Sequence, residues 1–133
     1  MATSQDLNAL VGRLRSGEVP PVEVGGQPIL CVAVYETARS QAELYLLRRG
    51  QKIPAHRHSA IDDVFVGVEG RGRIRIWDAD GNHADHAIEP GSVVVVEPGT
   101  PHEVACAGDE FCYVLTQSPK EHYDLAPYKV TDS

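Results

Sequence analysis

Six histidines occur in this chain of 133 residues, and two of them form the triplet His56-Arg57-His58. In an extended strand, residues two apart point to the same side, so these two imidazoles can converge on one point. Neutral imidazole suits Zn, Cu, Fe and Ni; adding a carboxylate makes a mixed nitrogen–oxygen site that keeps positions open for water or substrate. His102 shares a strand face with Val104 and Cys106 by the same spacing. The other histidines read differently. His83 and His86 follow Asp80-Gly81 in what reads as a polar surface loop, and His122 and Tyr123 fall in a Pro-broken tail. Cys31, Cys106 and Cys112 read as free thiols, and a buried thiol usually packs as a small hydrophobe.

Something must position these groups, and the hydrophobic pattern says what. Leu7, Leu10, Val11 and Leu14 follow the stripe of an amphipathic helix through the first sixteen residues, with Thr3 or Ser4 as cap and Gly17 as stop. Such a stripe needs a cover, either the chain's own barrel or a second subunit. After Gly25-Gly26 the period changes. Ile29–Tyr35, Ala42–Arg48, Val64–Val68, Ile74–Trp77, Val93–Glu97, Glu103–Cys106 and Phe111–Thr116 are short β-branched or aromatic runs separated by turn formers. Asp80-Gly81 predicts a hairpin. Ile74 and Ile76 alternate with Arg71, Arg73 and Arg75, which gives one buried and one solvated face. The pattern predicts residues 1–17 as helix and 18–133 as one all-β domain, with a tail from Ser118 along the surface.

Composition narrows the partners. A net charge of −7 disfavours nucleic acid and anionic membranes. The longest aliphatic block is Val93–Val96, far short of a membrane span. The first twenty residues lack the basic start and apolar core of a secretory signal, which points to the cytoplasm. What remains is a single domain that handles a small molecule.

Two spaced motifs sharpen this. Gly50, five residues, His56-Arg57-His58, four residues, Asp63, six residues and Gly70 form the first; Gly91, five residues, Glu97-Pro98-Gly99, two residues and His102, then three residues and Cys106, form the second. Together they resemble the two-part signature of the cupin superfamily. The departures are Asp63 where the family usually has Glu, Glu97 in place of its Pro, and Cys106 in place of the terminal Asn. The resemblance implies an all-β antiparallel jelly-roll barrel behind the N-terminal helix, with core motifs at 50–70 and 91–106. It implies one divalent metal ion (Zn, Fe, Mn or Ni) held by His56, His58, Asp63 and His102. Three converging imidazoles in a Val-rich barrel would be costly to bury without a cation. Asp63 is one methylene short, so it either ligates the metal or serves beside it as a catalytic base. Phe65, two residues on, should form a pocket wall, with Cys106, Tyr45 and Tyr113 as further pocket residues. Trp77 could line the same cavity or pack as plain core.

The expected function is a metal-dependent small-molecule enzyme, a tailoring catalyst of a biosynthetic pathway, with cyclase, isomerase, lyase or dioxygenase chemistry. The alternative is a non-catalytic, metal-tethered ligand-binding module. A homodimer is expected, since small barrels leave edges open and the helical stripe offers a cover.

Overall fold

A computed structural model describes residues 2–130; Met1 and residues 131–133, the outer ends of the expected helix and barrel segments, lie outside the described residues. Helix α1 runs from Leu7 to Ser16, shorter than the sixteen-residue expectation. Its cap is Asp6 rather than Thr3 or Ser4: the Asp6 carboxylate accepts from the Asn8 and Ala9 amides at 2.9 and 3.4 Å. Gly17 ends it in the left-handed conformation.

Among the described residues nine antiparallel strands follow: β1 (Val22–Val24), β2 (Gln27–Glu36), β3 (Gln41–Arg48), β4 (Lys52–Arg57), β5 (Asp62–Trp77), β6 (His83–Ile88), β7 (Val93–Val96), β8 (His102–Ser118) and β9 (Ala126–Pro127). They form one curled sheet, the expected jelly-roll barrel, with β8 at its centre. One edge of β8 pairs with β5 along its length. The other edge pairs with β3 through residues 110–117 and with β4 near residues 102–105. Strand β5 divides in the same way between β6 and β7.

Two pairs of expected short strands are therefore single long ones. Val64–Val68 and Ile74–Trp77 both lie in β5, and Glu103–Cys106 and Phe111–Thr116 both lie in β8. The glycines between them make bulges instead of turns, with register shifts at Gly67/Glu69 and Gly70/Gly72. Gly70 has φ +72°, and a Cβ there would come within 1.9 Å of the Glu110 carbonyl oxygen. Only glycine lets the two strands bend together at that point. A second correction concerns His83 and His86, which lie on strand β6, exposed, rather than in a loop.

Two apolar cores result. Inside the barrel, Ile29, Leu47, Phe65, Ile74, Phe111 and Tyr113 pack together. Outside it, Leu10, Val11 and Leu14 of α1 cover Leu44, Leu46 and Cys112. Residues of β3 alternate between the two, which is why its sequence reads as almost continuously apolar. The helical stripe is thus covered within one chain and requires no second subunit. Each buried Leu or Val contributes roughly 1.5–3 kcal/mol of transfer free energy. No helix among the described residues is long and apolar enough to cross a membrane.

Candidate metal centre

Four side chains meet at one end of the barrel. His56 lies near the end of β4, directly across from His102, the first residue of β8. His58 follows just after β4, and Asp63 is the second residue of β5. Period-two alternation decides between the two aspartates: Asp62 is exposed, whereas Asp63 is 1% exposed. His56, His58 and His102 are likewise buried. One potential ligand atom from each of the four residues lies within 4.8 Å of the others. The strand pairing brings Asp63 fully inward, so its shorter side chain still reaches the group.

The histidine rings are held from behind. Nδ1 of His56 donates to the Pro54 carbonyl at 2.7 Å, Nδ1 of His102 to the Thr100 carbonyl at 2.9 Å, and Nδ1 of His58 to the Asp124 carbonyl at 2.5 Å. A carbonyl can only accept, so each Nδ1 carries a hydrogen. The neutral tautomer then presents Nε2 as a lone pair toward the centre. Outer hydrogen bonds of this kind orient ligating histidines.

Asp63 completes the set. Its Oδ2 lies 3.0 Å from His102 Nε2 and 3.1 Å from His58 Nε2. Its Oδ1 accepts from Gln117 Nε2 at 3.0 Å, and Gln117 Oε1 accepts from Gln41 Nε2 at 2.9 Å. His58 Nε2, although close to Oδ2, makes no aligned hydrogen bond and is a buried polar atom without a partner. Lone pairs of two imidazoles thus face one carboxylate oxygen about 3 Å away. A proton can play part of the missing role. Burial opposes charge on His58, but the Asp63 carboxylate and Asp124 together outweigh it and raise the His58 pKa. Burial would likewise push the Asp63 carboxyl up, yet His102 and His58 hold it well below the usual carboxylate range. His56 goes the other way: burial, reinforced by His102, lowers it to about 4, so it stays a neutral donor at ordinary pH. One divalent cation would satisfy all four groups at once, and this His/Asp set fits a metal site.

A cavity of about 330 Å³ opens from the histidines into the barrel. Phe65, Tyr45 and Tyr113 line it, the two tyrosine rings stacked with centroids 5.1 Å apart. Cys106 does not: it is half-buried, away from the lining, with its Sγ directed to the Gly108 carbonyl at 3.2 Å. Four residues along β8 from His102 carry it past the cavity. Trp77 is also elsewhere, buried beneath an outer groove beside His83 and Tyr128. Sequence reasoning missed Gln41, Glu43 and Gln117 on the wall, although Gln41, Glu43 and Tyr45 have the spacing of one strand face. It also missed the tail. Tyr123 and Leu125 fold over the mouth, with the Tyr123 ring 5.2 Å from that of His58. Asp124 is anchored there by the Ser59 amide at 2.7 Å and the Ser59 hydroxyl at 2.5 Å. No local sequence signal announces this fold-over, and His122 does not join the cavity lining.

A double-wound antiparallel barrel with a His-x-His strand at its mouth defines a class, the double-stranded β-helix proteins. Residues 43–117, more than half of the chain, match the cupin domain, and the protein belongs to that family. No curated protein matches the chain by sequence. Among solved structures, it is similar to an uncharacterised conserved protein with a double-stranded β-helix domain from Klebsiella pneumoniae subsp. pneumoniae MGH 78578. That likeness has TM-score 0.71 at 16% identity and covers 97% of this chain and 99% of the other. KdgF from Halomonas sp. is similar with TM-score 0.65 at 20% identity, over 77% of this chain and 87% of that one. The oxalate decarboxylase OxdC of Bacillus subtilis, described with Mn(II) centres, has TM-score 0.67 at 18% identity, over 86% of this chain and 31% of that one. At such identities the likeness concerns the fold.

Proposed function

We propose that this protein is a metal-dependent small-molecule enzyme in which His56, His58, His102 and Asp63 hold one divalent ion. The observation that carries this reading is the set of buried imidazole Nε2 lone pairs aimed at one carboxylate oxygen, an arrangement that only a cation or shared protons make tolerable. When bound, such an ion supplies Lewis acidity to a substrate oxygen, or redox chemistry if it is iron. The protein does the rest. The Pro54, Thr100 and Asp124 carbonyls fix the ring tautomers, and Gln117 fixes the Asp63 carboxylate. Phe65, Tyr45 and Tyr113 give the substrate an apolar wall and exclude water from it. Asp63 serves as a ligand and not as the base, because Gln117 already holds its Oδ1, its Oδ2 points at the imidazoles, and it does not line the cavity.

The cavity holds about eleven water volumes at ~30 Å³ each, which suits a compact, finished molecule. A tailoring step of a biosynthetic pathway (cyclisation, isomerisation, elimination or dioxygenation) matches that scale. Two measurements test the reading. Elemental analysis of protein purified without a chelating tag should give one equivalent of Zn, Fe, Mn or Ni. Alanine in place of His56, His58 or His102 should abolish it; full metal in all three variants would refute the site. Turnover of candidate substrates by loaded protein is then expected, whereas binding without turnover would move the protein to the ligand-sensing reading.

A further inference from the structure

Glu43 is the carboxylate on the cavity wall that the proposed metal site does not use. It sits on β3 between Gln41 and Tyr45, half-buried and facing inward. Its Oε2 accepts from the Cys31 thiol at 3.0 Å and its Oε1 from the Tyr45 hydroxyl at 3.5 Å. A carboxylate has about four lone-pair sites, so two weak donors leave it with capacity toward the cavity. No lysine or arginine lines this cavity among the described residues. Charge therefore balances without help from a ligand: two positive charges on a divalent ion meet the carboxylates of Asp63 and Glu43, with the histidines neutral. A ligand that grips the ion through one acidic oxygen already adds a negative charge, and a further carboxylate would place a second, uncompensated one between apolar walls, where charge is poorly solvated. A ligand with a hydroxyl or amino hydrogen would instead fill the open acceptor sites of Glu43. The stacked Tyr45–Tyr113 pair and Phe65 add a flat aromatic wall.

Resting on the metal-centre reading, we infer that Glu43 is the specificity-determining residue of this cavity. It selects a small, ring-bearing ligand that carries a hydrogen-bond donor and rejects one that carries a second acidic group.

The test uses protein loaded with Co(II), whose visible bands report both loading and ligand arrival. Three flat chelating probes share one metal-binding end: tropolone, 5-aminotropolone and tropolone-5-carboxylate. Wild-type protein should bind the first two at least roughly tenfold tighter than the carboxylate, the size expected when a buried charge is left unpaired. Glu43→Gln keeps the shape and removes the charge, so it should bring the three affinities to within about threefold of one another. Equal affinities in the wild type, or a preference for the carboxylate, would overturn the inference while leaving the metal centre intact. So would an unchanged preference in Glu43→Gln protein that loads cobalt and keeps its circular dichroism. The wild-type comparison decides even if that variant fails to fold. Absence of cobalt bands in the wild type would instead overturn the metal centre, and this inference with it.

Discussion

Replacing Asp63 with asparagine should separate the metal reading from a purely structural one, because its two effects differ widely in size. The amide matches the carboxylate in shape, and its oxygen can keep the Gln117 hydrogen bond at Oδ1. The amide nitrogen then replaces Oδ2, 3.0 Å from His102 Nε2 and 3.1 Å from His58 Nε2. Its two hydrogens can be donated to those two lone pairs. Metal-free Asp63→Asn protein should therefore stay within about 2 kcal/mol of metal-free wild type at pH 8, because the amide keeps a partner for each atom the carboxylate faced. Metal binding should collapse. It must break two neutral hydrogen bonds, about 1 kcal/mol each, and it forfeits an anionic partner worth about 3–5 kcal/mol when buried. At 1.4 kcal/mol per factor of ten, the loss is at least about a thousandfold in affinity. Competition against a chelator of known strength measures the affinity, and thermal unfolding of chelator-treated protein measures the stability. The reasoning fails if affinity stays within tenfold of wild type, or if the metal-free variant is destabilised by more than about 2 kcal/mol, beyond what one neutral substitution in an intact hydrogen-bond set costs.

Three further outcomes are expected. His56, lowered to about 4 by burial, stays neutral in the fold while the unfolded chain takes up a proton below its ordinary value near 6.5. The unfolded state then binds more protons, so this residue's contribution makes metal-free protein less stable as pH falls from 6.5 toward 4, by at most about 3 kcal/mol. Denaturant titrations should show that slope flattened in His56→Gln, and an unchanged slope would refute the assignment. Burial pushes the Cys31 and Cys112 thiols up to about 12, so both should resist iodoacetamide at pH 8 in native protein; rapid labelling of either, read by mass spectrometry, would contradict the packing. Among the described residues strand β7 pairs only with β5, and Val93 and Val95 are about 60% and 56% exposed, an edge suited to a second copy. Light scattering should report a homodimer that Val93→Lys with Val95→Lys converts to monomer, and a monomeric wild type would refute it.

How much was legible in the sequence depended on the range of the interactions involved. The histidine triplet, Asp63 and His102 could be placed because strand alternation and motif spacing are local, and the structure brings the four together. Alternation also separated Asp63 from Asp62. It failed for Cys106, because a shared face does not fix how far along a strand the cavity reaches. Gly70 and Gly72 read as turn signals, yet close approach to Glu110 and Phe111 across the sheet makes them bulges. The helix stripe was clear, but nothing local could say that Leu44, Leu46 and Cys112 would cover it. Least legible was the tail, whose hold on His58 and Ser59 depends on groups some 65 residues away.

That hold ties two equilibria together. The segment around Asp124 is largely exposed and is fastened by a few hydrogen bonds, including the Tyr128 amide on the Ala55 carbonyl at 2.9 Å. Such segments open locally at a small fraction of the global unfolding free energy. Each opening frees His58 Nδ1 from its carbonyl and lets the ring turn away. By thermodynamic reciprocity, a cation that grips His58 must favour the fastened segment by the same factor as the fastened segment favours the cation. The Tyr128 amide, remote from the imidazoles in sequence, thereby becomes a gauge of site occupancy. Its exchange with solvent deuterium should slow on loading in proportion to the affinity lost when Ser59→Ala loosens the anchor.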